Sequence, residues 1–261
     1  MAFDLTRFDL AAQLRCGRGL RSAIIGALSM EAAAQRVCRY LFEELRSPDG
    51  QRACALVRCY KTHPLSELPN DLQAVARRAL ATEEAAGPET KCLTLLASSG
   101  EESAWNSRQR SRNHRVIPLA SERMIERAPM IAQLFQQFGL ELNHVLRPTS
   151  DVVRDLAGRK YGVFHVEQAL GSPHIPAQDE FVVKHHVHSV VGFGGSLPSG
   201  DLFAVIFFSH VRVDADAAER FRSIALDLKG HFFSIDGKRT FEPSIPVVGD
   251  SRTPPTPQIE S

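Results

Sequence analysis

An α/β fold of the α+β kind, with a central sheet covered by helices on both faces, is predicted by three features of the sequence. The run LFAVIFFS (202–209) is apolar on both of its alternating faces, with Leu202, Ala204, Ile206 and Phe208 on one and Phe203, Val205 and Phe207 on the other. A strand held between two layers reads this way. Leu197-Pro198-Ser199-Gly200 precedes it, with proline second and glycine fourth as in a type I turn. Val190, Val191 and Phe193 then belong to the other strand of a hairpin. Before and after these strands lie stretches with apolar residues three and four apart, the mark of amphipathic helices.

The elements follow in order. Residues 1–27 are weakly patterned and read as an N-terminal extension, with small apolar patches around Gly17, Gly19 and Gly26. Ser29 is a suitable N-cap, and Met30, Ala34, Val37, Leu41 and Leu45 behind it share a helical face. Pro48-Asp49-Gly50 ends that helix with turn chemistry, and RACALVRCYK (52–61) reads as a strand. Asn70 with Gln73 makes an amide version of the capping box, ahead of the stripe Leu72, Val75, Ala76 and Ala79. KCLTLLAS (91–98) is a further strand, and 101–116 is a polar loop.

Ser121 opens a short helix, and Pro129 suits the first position of another. In that helix Ile131, Leu134, Phe135 and Phe138 share a face, and Gly139 stops it. A short helical stretch from Thr149 and a brief strand, GVFHVEQ (162–168), lead to the hairpin. Asp216 with Glu219 caps a last helix with the stripe Ala217, Phe221, Ile224, Ala225, Leu228 and Phe232. The proline-rich stretch 237–261 has no apolar period and is expected to be disordered. One domain, 28–236, remains.

Composition narrows the function. The 261 residues are 43% hydrophobic and 23% charged with a net charge of +1, so no whole-protein field points to nucleic acid. The five cysteines, at 16, 38, 54, 59 and 92, form no CxxC pair. An odd, unpaired set fits buried thiols in a reducing compartment better than a disulfide framework or a zinc site. No apolar run reaches the length of a membrane helix, and the charged N-terminus lacks a signal peptide's apolar core. A cytoplasmic protein is expected.

The glycines Gly192, Gly194 and Gly195 do not read as a phosphate loop, because such a cluster must lead from a strand into a helix N-terminus. Here it leads into a second strand. Glycine inside a strand marks a bulge or a close approach to the backbone, by a packed helix or a small ligand. His185, His186 and His188 stand just before. On a strand His186 and His188 share a face, a spacing that can chelate a metal or haem given further ligands such as His165. A solvated sheet edge rich in histidine is the simpler account. Trp105, Arg108, Arg110, Arg112 and Arg115, with His114, form a basic loop that could meet phosphate, an acidic partner or RNA. Flanked by Glu101, Glu102 and Glu122, it equally reads as a solvated loop, and nucleic acid is not the expected partner. G-x-S-x-G and H-E-x-x-H are absent from the sequence, so no catalytic set emerges. Cys38, Cys54 and Cys92 sit in apolar stripes, whereas Cys59, near a strand end, is the thiol expected to be more exposed.

Four segments together, SAWNSRQRSRNHRVIPL, APMIAQLFQQFGL, YGVFHVEQALGSPHIPAQDEFV and HSVVGFGGSLPSGDLFAVIFFS, resemble a GAF-like sensory domain of the type found N-terminally in bacterial sensor histidine kinases. The resemblance spans roughly residues 28–235. It implies a central, largely antiparallel sheet with helices on both faces, and a non-enzymatic signalling or scaffolding role. It implies a small-ligand pocket between the sheet and the insertion, near Phe164, His165, His174 and Phe193, while naming no cofactor. It also implies a homodimer formed through the terminal helices, with Met30 to Leu45 and Ala217 to Phe232 as the dimer or output surface, or a signalling protein such as a histidine kinase as partner.

Overall fold

In the computed structural model, which describes residues 2–80, 86–111, 114–140, 146, 161–235 and 239–242, the chain opens with a two-residue strand, β1 (Phe3–Asp4). Helix α1 (Leu10–Ile24) follows, capped by the Asp9 carboxylate accepting from Ala12 N at 2.7 Å. Next come α2 (Met30–Glu44), the short β2 (Leu45–Arg46), which pairs with β1, and β3 (Cys54–Pro64). Helix α3 (Asn70–Ala79), β4 (Lys91–Gly100), β5 (Val116–Pro118), α4 (Glu122–Glu126) and α5 (Pro129–Gln137) form the middle. The last part holds β6 (Tyr161–Val166), β7 (Ser189–Ser196), β8 (Leu202–Ser209), α6 (Ala215–Glu219) and α7 (Phe221–Ile235).

Six strands make one antiparallel sheet in the order β5-β4-β3-β8-β7-β6. The hairpin is the one expected: Gly200 N donates to Leu197 O at 3.0 Å, and the ladder runs from Ser196↔Leu202 to Ser189↔Ser209. β8 is central and buried along its whole length. The glycine expectation is resolved differently from either alternative. A Cβ on Gly194 would lie 2.0 Å from the carbonyl oxygen of Phe203, so the close neighbour is the partner strand's own backbone.

Alternation divides the core. Val57, Cys59, Val191, Phe193, Phe203, Val205 and Phe207 point to one face of the sheet, where α2 and α7 lie on the strands and α1 rests on those two helices. Leu56, Tyr60, Leu93, Leu95, Phe164, Val190 and Ile206 point to the other, beneath α4, α5 and the segment 169–188. A smaller cluster joins Leu65, Leu68, Leu72 and Ala76 to Cys92 and Val116. On the first face Phe193, Phe203, Phe207, Phe221 and Phe232 are fully buried, each worth about 1.5–3 kcal/mol of apolar transfer.

Several local expectations change. The N-terminal extension is structural: α1 buries Ala12, Cys16, Leu20 and Ile24, and Phe8 stacks on Phe221 at 4.7 Å. Its four-residue spacing went unread because glycines and arginines interrupt it. Asn70 makes no cap; Pro69 occupies that place, and the Gln73 side chain instead donates to Leu68 O at 2.8 Å. Val75, counted in the buried stripe, is exposed. The last helical region starts earlier, with Asp214 capping α6 through Ala217 N, and breaks at Arg220. The tail expected to be disordered from 237 onward engages α2 through 239–242. The helical stretch from Thr149 lies outside the described residues.

Candidate functional site

The segment between Ala169 and His188 covers one end of the second face with little regular structure. Gln178 holds its first loop: Nε2 donates to the carbonyls of Ile175 (2.7 Å) and Ala169 (3.1 Å), and Oε1 accepts from Gly171 N (2.8 Å). One side chain thereby serves backbone groups that have no ladder to join. Ala177 (φ 58°) and His186 (φ 48°) bracket a π-helical turn, Gln178–Val183. Both occupy the left-handed region that non-glycine residues seldom adopt, and π turns often mark functional positions.

Beside this turn lies a groove of about 570 Å³ lined by Leu170, Val182, Val183, Val187, His186 and His188, with Glu167, Gln168 and Arg212 at its polar side. Arg212 Nη2 and Glu167 Oε1 pair at 2.5 Å. A second, more open groove of about 690 Å³ borders Arg46, Arg52, Asp49, Glu101 and His210, and His186 contributes to both. The first groove mixes an apolar wall, Leu170, Val182, Val183 and Val187, with five polar residues, and the second is almost wholly polar.

The histidines differ from their expected setting. β7 begins only at Ser189, so His186 and His188 are not strand neighbours; both side chains are exposed, and the groove rather than a shared strand face brings them together. Among the described residues no group of three or more His, Cys, Asp or Glu side chains is placed to hold a metal ion. His185 is buried instead, its ring 4.7 Å from Trp105 and 5.6 Å from Phe181. Its Nδ1 lies 3.8 Å from Glu101 and its Nε2 3.9 Å from Glu102. His210, which the sequence did not single out, places Nε2 3.0 Å from the other Glu101 oxygen.

The four pocket residues do not line one cavity. Phe164 belongs to the second face and Phe193 to the first, packed on Phe221, with the sheet between them. His165 lies at the sheet edge, its Nε2 2.9 Å from Val213 O and its backbone N donating to Gln137 Oε1 at 2.7 Å. His174 is half-buried in the loop that Gln178 holds, outside the groove lining. Strand parity separates Phe164 from Phe193, and one sheet cannot send adjacent parities to the same side.

The basic loop is also dispersed. Arg108 is buried and pairs with Glu31 (Nε–Oε1 2.9 Å), while Arg115 pairs with Asp71. Trp105 packs inward on Phe181 and His185. Arg110 is exposed, and Arg112 lies outside the described residues. The thiols offer no nucleophile: all five cysteines are buried, Cys59 included, and burial pushes each thiol up, Cys16 and Cys92 to about 12.

A polar cluster at the hairpin end went unread. Asp201 receives Lys61 Nζ at 2.6 Å and Lys91 Nζ at 2.7 Å, and Thr62 Oγ1 lies 3.3 Å away. Burial pushes the Asp201 carboxyl up, but the two ammonium groups outweigh it and hold it below the usual carboxylate range. A lysine at position 61, in the alternation of an apolar strand, was the available signal. Beside it His63 is buried to 1% exposure with neither ring nitrogen partnered among the described residues. Burial first, then the Lys61 charge, depresses it to about 3.

No family model matches the chain and no curated protein matches it. Among solved structures it is similar to the phycoerythrobilin-bound GAF domain of a cyanobacterial phytochrome, at 13% identity over 85% of this chain and 95% of that one, with a TM-score of 0.41. The chromophore-binding domain of a bacteriophytochrome from R. palustris is similar at 9% identity over 87% of this chain and 63% of that one, TM-score 0.41. A lactone-dependent LuxR-family transcription factor from Burkholderia cenocepacia follows at 13% identity, covering 85% and 96%, TM-score 0.34. No helix among the described residues is long and apolar enough to cross a membrane.

Proposed function

We propose that the chain is a non-enzymatic, cytoplasmic sensory module that works by association: it forms a homodimer, or docks a signalling partner, through its terminal helices. One observation carries this reading. The outward surfaces of α1 and α7, which pack on each other, present Leu10 (56% exposed), Leu14 (53%), Leu226 (55%) and Phe233 (58%). Leu10 and Leu14 are four apart and Leu226 and Phe233 seven apart, so each helix turns an apolar pair to solvent while its other face is in the core. An exposed apolar patch that is contiguous across two packed helices marks an interaction surface.

The surface expected from the sequence, on Met30 to Leu45 and Ala217 to Phe232, is displaced outward, because Leu41 and Phe221 are themselves fully buried. The groove beside His186 and His188 supplies the place for a small ligand whose binding would favour one state of the module. All five thiols are buried, so the module offers no exposed cysteine nucleophile.

Sedimentation of the wild type beside the double variant Leu14→Lys, Phe233→Lys tests the reading. We expect a dimer that becomes a folded monomer in the variant. A wild type that is monomeric at tens of micromolar, or a dimer indifferent to both lysines, would refute it.

A further inference from the structure

The four described residues beyond α7 make contacts out of proportion to their number. Met30 N and Glu31 N, two amides of the first turn of α2 that have no partner within the helix, donate to the carbonyls of Arg239 (2.9 Å) and Thr240 (2.8 Å). Glu242 N donates to Glu31 Oε2 at 3.0 Å, and Ser29 Oγ donates to the Glu242 carboxylate. A carboxylate there also meets the positive end of the α2 dipole. Phe241 sits with the Arg108 guanidinium 5.1 Å from its ring and the His63 ring at 5.3 Å, touching both the main core of the first face and the smaller cluster under α3. Arg108 in turn holds Glu31. The segment is read by two backbone bonds, one aromatic position and one acidic position.

What it covers is polar. His63 lies under Phe241, wholly buried, with both ring nitrogens unpartnered among the described residues, next to the strand carrying Lys61 and its partner Asp201. An unmet buried polar group opposes the closure that dries it, and water would relieve it. Phe241 is only half-buried and Arg239 is exposed. The contacts that close the segment and the group that resists closure sit on the same few residues. We propose that Arg239–Glu242 is a releasable strap that fastens the chain leaving α7 to the N-terminus of α2, and that it opens without unfolding the sheet. Opening frees the first turn of α2 and admits water to His63, so the position of whatever follows α7 is coupled to α2.

Amide exchange measured residue by residue on the full chain tests this. We expect Met30 and Glu31 to exchange faster than the β3–β4 ladder. Phe241→Ala should speed both about tenfold, the scale of one lost net contact, with the ladder unchanged. Glu242→Gln, which touches only the cap, should act in the same direction to a smaller extent and carries the test if Phe241→Ala fails to fold. His63→Leu should slow both amides, because it removes the group that resists closure. Exchange of Met30 and Glu31 at the ladder's rate would overturn the proposal, since the segment would then open only with global unfolding. Exchange indifferent to Glu242→Gln and faster in His63→Leu would overturn it as well.

Discussion

The two faces of the sheet are built on different plans. The first is covered by long helices, α2 and α7 of 15 residues each, whose inward stripes meet Phe193, Phe203 and Phe207. The second is covered by five- and nine-residue helices, a π turn and loops tied down by single side chains such as Gln178 and Trp105. Long helices bury area through repetition, so they tolerate little polar content and leave no groove. Short pieces leave gaps between them, and the groove beside His186 is one. Regular helical packing and irregular, groove-forming cover are thus segregated by face.

The largest effect that could break this comparison is a paired truncation. Phe221→Ala, in the first face, should cost about 4 kcal/mol in urea unfolding. Phe181→Ala, half-buried over the second, should cost about 1 kcal/mol. Equal losses would mean that the faces share the burden. Asp201→Ala should cost about 3 kcal/mol, because two buried ammonium groups lose their counter-charge. The folded Asp201 pKa is depressed, so its contribution is present above the unfolded value near 3.9 and is lost as pH falls through the folded one.

His63 gives the same sign over a higher pH window. Its folded pKa of about 3 lies below the unfolded value near 6.5. The unfolded chain therefore takes up the proton first, and stability falls as pH drops from about 6.5 toward 3, by at most about 1.4 kcal/mol per pH unit. Melting curves across that window should flatten in His63→Leu; an unchanged slope would place the acid sensitivity elsewhere. The smallest effect belongs to the rim of the groove. Glu167→Gln breaks only the exposed pair with Arg212 and should change stability by no more than about 0.5 kcal/mol, while any ligand affinity of the groove would respond.

The same contrast explains what could be read in advance. The hairpin was legible because β8 is apolar at both parities and its turn residues are chemically specific. The α2 and α7 stripes were legible because burial is periodic. The α1 helix was not, since Gly17, Gly19 and three arginines, Arg15, Arg18 and Arg21, dilute the stripe Ala12, Cys16, Leu20 and Ile24 that packs on other helices. On the second face, the positions of His185 and Trp105 depend on a π turn with two left-handed residues, which no local propensity announces. Parity separates Phe164 from Phe193, a constraint that becomes available once their strands are paired. Lys61, Asp201 and Lys91 come from three strand ends far apart in sequence, and only the folded sheet brings them together.

Native mass spectrometry of the full chain, at several concentrations and beside its Leu14→Lys, Phe233→Lys variant, tests most directly whether this module acts by association. We expect the mass of two chains for the wild type and of one for the variant, with any added mass on the wild type reporting a ligand of the groove. A single-chain mass for the wild type at every concentration would contradict association through α1 and α7.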